Sequence, residues 1–219
     1  MSIPRNALLA ATAAFALACS DATTTPDGPS AAIRVINATG APLGILVDGA
    51  VAVSSVGISA VSEKTSVSAG SHVIGVRTAN GTVTNITVNA TANATVTTVA
   101  IPGIAAGVAV SVLADTGSIV PSGKSKLRVT HLASGTSAVE FWRTQPDFQT
   151  PVHIMTPFVY GATSPYLQSD PGAWEVFVTA PGGGAKLATT GALNVPSGER
   201  RTVVLLDSLG VLKFRVLSE

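Results

Sequence analysis

Enzymes and metal centres need particular side-chain types held close together, and this sequence is sparing with them. Its three histidines, His72, His131 and His153, lie 59 and 22 residues apart and spell no HExxH or paired His/Cys pattern. Cys19 is the one cysteine, so neither a thiolate metal cage nor an intramolecular disulfide can be built. Gly117…Gly123-Lys124-Ser125 comes near a phosphate-binding loop, but it has five residues between its glycines where the motif needs four. A β-type pattern follows it from Leu127, not the helix whose amino terminus would face a phosphate. No G-x-S-x-G elbow occurs. Asp170 and Glu175 are examples of carboxylates that could pair across a sandwich. One sits beside a turn and the other at an outward strand position, which is the pattern of solvated surface acids. No catalytic residue, metal or cofactor is therefore expected.

What remains is recognition chemistry. The nine aromatic residues beyond the amino-terminal segment, Phe141, Trp142, Phe148, Phe158, Tyr160, Tyr166, Trp174, Phe177 and Phe214, all lie in the carboxy-terminal half. Strand alternation puts Val139 and Phe141 on one face and Glu140 and Trp142 on the other. A charged residue beside a tryptophan makes a poor core and a plausible recognition patch. Trp142, Glu140, Tyr160 and Tyr166 are accordingly the candidate partner-binding residues. The alternative for Trp142 is a structural one, packed beneath Gln145–Met155 or against the first half.

The elements that must position these residues read as β-strands. The chain holds 28 Val and 25 Thr, and only 11% of its residues are charged. β-branched side chains lose rotamer freedom on a helix but pack well on a pleated surface. Short alternating runs are separated by turn signals such as Asp48-Gly49, Asn80-Gly81 and Pro171-Gly172. They predict strands near 32–37, 43–48, 51–55, 61–67, 71–78, 82–89, 94–101 and 108–113, with equivalents from 126 onward. Short connections predict antiparallel pairing. The apolar run 100–114, broken by Pro102, Gly103 and Gly107, predicts a final buried strand and not a membrane span.

The order of matches implies a duplication. Ile33-Arg34-Val35 returns as Leu127-Arg128-Val129, Val67–Val76 as Ser169–Val178, and Val110–Leu113 as Phe214–Leu217. The offset grows from 94 to 104 residues, as loop insertions would make it. In this register His72 falls at the position of Trp174, a packing site, and His131 at that of Asn37, a strand-end cap. The expected organisation is a segment 1–18, a linker 19–31, a first sandwich domain 32–114, a linker 115–125 and a second sandwich domain 126–219.

Segment 1–18 reads as a signal peptide, with Arg5 in a short charged region and an apolar run Ala7–Leu17. Ala16-Leu17-Ala18-Cys19 resembles the bacterial lipobox, in which the cysteine receives lipid and becomes the mature amino terminus. Ser20–Ala31, rich in Thr, Pro and Ser, is expected to be a flexible tether. Basic and acidic residues balance once the signal is removed, so there is no electrostatic footprint for nucleic acid. In a bacterial protein the five Asn-x-Thr triplets (Asn37, Asn80, Asn85, Asn89, Asn93) read as asparagines on the wet face of Thr-rich strands.

Arg128-Val129-Thr130-His131-Leu132-Ala133-Ser134 followed by Val139-Glu140-Phe141-Trp142 resembles the opening of domain-of-unknown-function family 4397. Pro157-Phe158…Gly161…Ser164-Pro165-Tyr166 and Pro171–Val176 are similar to it as well. The resemblance spans 32–219 as two copies, the second nearer the pattern, and Ala41-Pro42 and Val47-Asp48-Gly49 fit in the first. It implies an immunoglobulin-like sandwich on exported envelope proteins and no activity. The functional expectation is a non-catalytic, lipid-anchored module of the cell envelope that meets an envelope protein or a polysaccharide. The competing readings are a carbohydrate-binding module using the aromatics of the second copy and a hydrolase with a dispersed site.

Overall fold

The structure is a computed structural model and describes residues 28–115, 119–145 and 150–219. The expected signal segment, Cys19 and most of the tether lie outside the described residues, as do Gly117 and Phe148. The first half of the chain forms β1 (Ser30–Asn37), β2 (Leu43–Val47), β3 (Ala50–Val56), β4 (Ala60–Val61), β5 (Thr65–Ser68), β6 (Gly70–Arg77), β7 (Val83–Ala90), β8 (Thr95–Pro102) and β9 (Val108–Leu113). The second half forms β10 (Ser125–His131), β11 (Val139–Thr144), β12 (Val152–Phe158), β13 (Leu167–Ser169), β14 (Gly172–Thr179), β15 (Ala188–Thr189), β16 (Leu193–Val195), β17 (Arg200–Ser208) and β18 (Val211–Ser218).

Each half is a β-sandwich of two sheets, and the strand orders match. In the first half one sheet runs β4-β1-β8-β9, with β5 also on β1, and the other runs β3-β2-β6-β7. In the second half the orders are β13-β10-β17-β18 and β12-β11-β14-β15, with β16 also on β14. Inward side chains interleave between the sheets of each half. Ile33, Val35, Leu43, Ile45, Ile74 and Val76 centre one core; Leu127, Val129, Phe141, Phe158, Val176, Val178, Val203 and Leu205 centre the other. Phe141 and Phe158 meet edge to face at 5.0 Å, where the first core has only aliphatic contacts.

Three expectations are corrected. β1 pairs with β8, and β10 with β17, in parallel. Short links force antiparallel pairing only between consecutive strands, and here most of a sandwich intervenes. Strand structure also begins earlier than expected, at Ser30 and at Ser125, because Ala31 and Ser125 are buried and belong to the sheets. Residues 100–114 form no single buried strand. They finish β8, make a tight turn at Ile104–Ala106 and return as the partly exposed edge strand β9, with Ile104 almost wholly in solvent. Among the described residues no helix is long and apolar enough to cross a membrane.

The hairpin turns follow local chemistry. Asp48 and Gly49 have φ of 51° and 83°, the double left-handed conformation of a two-residue turn whose twist suits flanking strands. Leu209-Gly210 repeats that geometry between β17 and β18.

The halves meet through the outer faces of the β1 and β10 sheets. Ile36, Val99 and Leu113 pack with Leu132, Val204, Leu206 and Leu217 in a third apolar cluster. Beside it a polar arrangement is built twice. Arg34 Nε donates to Thr97 Oγ1 at 2.8 Å, and Arg128 Nε to Thr202 Oγ1 at 2.8 Å. Arg34 Nη1 crosses to the Ser218 carbonyl at 2.9 Å, and Arg128 Nη1 crosses the other way to the Ala114 carbonyl at 2.6 Å. In the repeat register Ala114 is the counterpart of Ser218, so the contact is reciprocal, like that between the subunits of a two-fold dimer. The Glu219 carboxylate breaks the symmetry. It lies 2.5 Å from Arg34 Nη2 and 3.6 Å from Arg128 Nη2, with its side chain only 3% exposed.

Candidate functional site

The candidate residues follow from what each strand does with its outward positions. On β11, Val139 and Phe141 enter the core, so Glu140, Trp142 and Thr144 face outward. On β14 the outward residues are Glu175, Phe177 and Thr179. Register makes one row across the sheet, His153–Trp142–Phe177–Thr189. The Trp142 ring is parallel to Phe177 at 6.1 Å and perpendicular to His153, and its Nε1 donates to Thr179 Oγ1 at 3.1 Å. Trp142 is half-buried.

The structural alternative for Trp142 places a covering segment at Gln145–Met155 or in the first half; the contacts found on this face come from the segment after β14. The chain leaves β14, turns through Pro181–Gly184 and returns beside it as β15, with the Leu187 and Thr190 amides donating to the Val178 and Val176 carbonyls. The Gly182 amide donates to Glu140 Oε1 at 2.9 Å, and Glu140 is buried at 9% exposure. Lys186 Nζ lies 4.4 Å from the Phe177 ring centre and donates to both Glu175 oxygens at 2.8 and 2.7 Å. Glu175 is 5% exposed, which corrects the expectation of a solvated acid. Burial alone pushes its carboxyl up, but the hydrogen bonds from Lys186 and Thr189 outweigh that and hold it below the usual carboxylate range. Asp170 is solvated as expected and pairs with Lys124.

These carboxylates do not converge. Glu140 stands opposite Thr179, four residues along β14 from Glu175, which separates them by about 13 Å along the strand. Acid and base pairs of glycoside hydrolases stand roughly 5–9.5 Å apart. Among the described residues the ion-pair partner of Glu140 is His153, 3.7 Å away. Among the described residues no cluster of three His, Cys, Asp or Glu side chains could hold a metal.

Tyr160 and Tyr166 do not join Glu140 and Trp142. Both lie between β12 and β13, against the other sheet. Tyr160 meets His131 edge-on at 6.2 Å and is partly exposed. The Tyr166 ring lies under the Arg128 guanidinium at 4.5 Å and near that of Arg200 at 5.7 Å, and its hydroxyl shares a 3.3 Å hydrogen bond with Thr202. Burial pushes its phenol up. Trp174 is held by its Nε1 donating to the Asp170 carbonyl at 2.9 Å, under the Arg143 guanidinium.

The histidines serve the loops. His72 Nε2 lies 2.9 Å from the Ser68 carbonyl, the contact that Trp174 makes at the equivalent Asp170. Its Nδ1 meets Asp48 Oδ2 at 2.7 Å, while Asp48 Oδ1 accepts from the Val73 amide. The Asp48 hydrogen bond raises the imidazole above its ordinary pKa. His131 is fully buried, with Nε2 3.1 Å from the Ser137 carbonyl, and burial lowers it. Asn37, its counterpart, is also buried, against the expectation of a wet-face asparagine. Its amide donates to the carbonyls of Ala41, Val56 and Gly57. Sequence reasoning missed the pair Arg34 and Arg128 together with Glu219. Its one signal was an arginine kept in both copies between inward apolar residues.

A domain model described as "Domain of unknown function (DUF4397)" matches residues 31–142, just over half of the chain. The chain belongs to this family. The DUF4397 match takes in β1 through β9 and continues to Trp142. It includes the 128–134 and 139–142 segments that carry the sequence resemblance, while the 157–176 segments lie beyond it. A search of curated proteins returns no match. Among solved structures, the chain is similar to a "putative cell adhesion protein" from Bacteroides uniformis at 15% identity and a TM-score of 0.25, covering 87% of this chain and 97% of that one. One of the same description from Bacteroides fragilis gives 10% identity and a TM-score of 0.22, covering 86% and 97%. A leucine-rich repeat protein from Bacteroides thetaiotaomicron gives 9% and 0.20. Against it the chain covers 83% of its own length but only 27% of the other's.

Proposed function

We propose that this DUF4397 chain is an exported, lipid-anchored module of the cell envelope that works by contact and not by catalysis, meeting a protein or polymer partner. One observation carries the reading: the side chains with catalytic potential are spent on holding loops and sheets. Glu175 is tied to Lys186 and Thr189, and Glu140 to the Gly182 amide. His72 braces the β2–β3 turn, and Glu219 sits between two arginines. Among the described residues Trp142, Tyr166 and Trp174 are each half-buried against a neighbour and Tyr160 stands apart from them, so these rings form no open row that favours the carbohydrate reading. Anchoring rests on Cys19 and the lipobox-like residues before it, since two or three acyl chains hold a protein on a membrane where one does so only marginally.

Two measurements test this. Cys19→Ser should abolish incorporation of labelled palmitate and move the protein to the soluble fraction; unchanged partitioning would remove the anchor from the proposal. Purified chain should leave envelope glycans intact. Turnover lost on Glu140→Gln or Glu175→Gln would overturn the non-catalytic reading.

A further inference from the structure

We propose that the first half holds a carboxylate-binding site, made by Arg77 of β6 over Gly44 of β2 beside Ser54 and Ser55 of β3, and that it takes the uronate units of an acidic polysaccharide. This site rests on the contact role proposed above and gives that role a partner chemistry. Among the described residues every other arginine meets a carboxylate or a carbonyl oxygen. Arg34 and Arg128 meet Glu219, Arg200 meets Asp115, Arg201 meets Glu199, Arg143 meets the Gln168 carbonyl and Arg215 that of Ser59. Arg77 makes no ion pair and no hydrogen bond among them. The described acids of the first half stand elsewhere. Asp48 holds His72 at the other end of β2, Asp115 is with Arg200, and Glu63 lines a separate cleft beside Arg34.

The second copy supplies the contrast. Gly44 pairs with Arg77 where Glu140 pairs with Thr179. Both copies keep a bulge at this point, with Ser54 and Ser55 opposite Gly44, and Thr156 and Pro157 opposite Glu140. Bulges re-aim side chains and recur beside functional sites. In the second half the acid at this position accepts from the Gly182 amide. In the first half the acid is replaced by glycine and the facing residue is a cation. A Cβ on Gly44 would stand 3.4 Å from Arg77 Nε and 3.5 Å from Nη2, so the guanidinium lies against bare strand where an acidic side chain would begin.

The surroundings select the ligand. Pro42, Gly44, Ser54, Ser55 and Arg77 line an open cleft of about 460 Å³ that reaches the β6–β7 turn at Gly81, a size usual for ligand sites. A guanidinium presents a planar fork of donors that matches a carboxylate. Ser54 and Ser55 are exposed, and their hydroxyls make no hydrogen bond among the described residues. A carboxylate flanked by hydroxyl groups, as in a sugar acid, therefore meets one cation and two hydroxyls together. Recognition of this kind uses charge and hydroxyl contact and needs no ring stacking. An extended peptide fits less well, because strand addition needs a regular edge and the bulges of the β2–β3 pairing bend the chain here.

Isothermal titration calorimetry of the chain carrying Cys19→Ser with tetragalacturonate tests the site. The expected result is saturable binding that is lost with the methyl-esterified tetrasaccharide. Arg77→Gln should weaken it by at least about tenfold, the effect of one hydrogen bond to a charged group. Gly44→Glu gives the first half the acid of the second and should block binding by occupying Arg77 from within. Lys213→Gln, at an exposed cation on β18, should leave it unchanged. Circular dichroism checks the fold of each variant, and a shift of the Arg77 Nε–H resonance on titration reads the site with Arg77 and Gly44 in place. No binding of tetragalacturonate, equal binding of its ester, indifference to Arg77→Gln, or tighter Arg77-dependent binding of tetraglutamate or dextran sulfate would overturn the proposal. Each of these results would leave the contact role to its own tests, which read Cys19, Glu140 and Glu175 and not Arg77.

Discussion

The sheets β3-β2-β6-β7 and β12-β11-β14-β15 set the same rows of positions on their outer faces and fill them differently. In the second half one row is His153–Trp142–Phe177–Thr189. In the first half the matching row is Val51–Leu46–Gly75–Asn85. In the second half the segment returning after β14 ties down this face: its Gly182 amide binds Glu140, and Lys186 binds Glu175 and lies on the Phe177 ring. The first half has no such segment, because β6 passes to β7 through a short turn at Asn80-Gly81. Gly75 leaves so little room that a Cβ there would come within 2.9 Å of Asn85 Oδ1. One fold thus carries an elaborated face and a plain one, and loop length decides which side chains the face can hold.

The largest effect should come from removing what couples the halves. Glu219→Ala leaves the guanidinium groups of Arg34 and Arg128 buried with no anion between them, and breaking a buried ion pair costs about 3–5 kcal/mol. Urea unfolding should then split into two transitions, the first half melting earlier because its core is aliphatic. A shift below about 1 kcal/mol, with one transition kept, would assign the coupling to the apolar cluster around Ile36 and Leu206 instead.

That coupling was the part of the structure least legible in the sequence. Strand positions could be read closely: 43–48 was expected and Leu43–Val47 is found, 82–89 was expected and Val83–Ala90 is found. Alternation reports which residues enter a core, and turn residues report where strands stop. Neither reports what lies above the outer face. Arg34 and Arg128 alternate as outward residues and are buried because another sheet packs there. Glu140 and Glu175 alternate outward too and are buried by a loop rich in glycine, whose path no periodicity encodes. The parallel pairs β1–β8 and β10–β17 were hidden for a similar reason, since they join strands far apart in the chain.

Truncating one row at a time sharpens the contrast between the faces. Trp142→Ala removes a half-buried ring packed on Phe177 and His153 and should cost about 2–4 kcal/mol by chemical denaturation. Leu46→Ala at the equivalent position should cost about 1 kcal/mol. A Trp142→Ala change under about 1 kcal/mol would instead mark the ring as a contact surface held for a partner. A smaller test uses the glycine. Gly75→Ala should destabilise by about 1 kcal/mol through crowding, and Asn85→Ala in the same chain should relieve part of that.

The smallest difference between the halves should appear with pH, because their histidines are shifted in opposite directions. The His72 pKa is raised by its hydrogen bond to Asp48. Between the ordinary imidazole value of 6.5 and that raised value, the folded state holds a proton that the unfolded state has released. The stability it contributes is complete below 6.5 and is lost as pH rises through the folded pKa. The His131 pKa is lowered, chiefly by burial, so the unfolded state binds the proton first. Its contribution is complete above 6.5 and declines as pH falls from there toward the folded pKa. Acidifying from pH 8 to pH 6 should therefore favour the first half relative to the second. Amide hydrogen exchange at the two pH values reads this as a change in protection of β6 against that of β10, after correction for intrinsic exchange. His72→Gln should flatten the response of β6 and leave that of β10 in place. Parallel movement of both strands would assign the pH response to the shared interface and not to the two histidines.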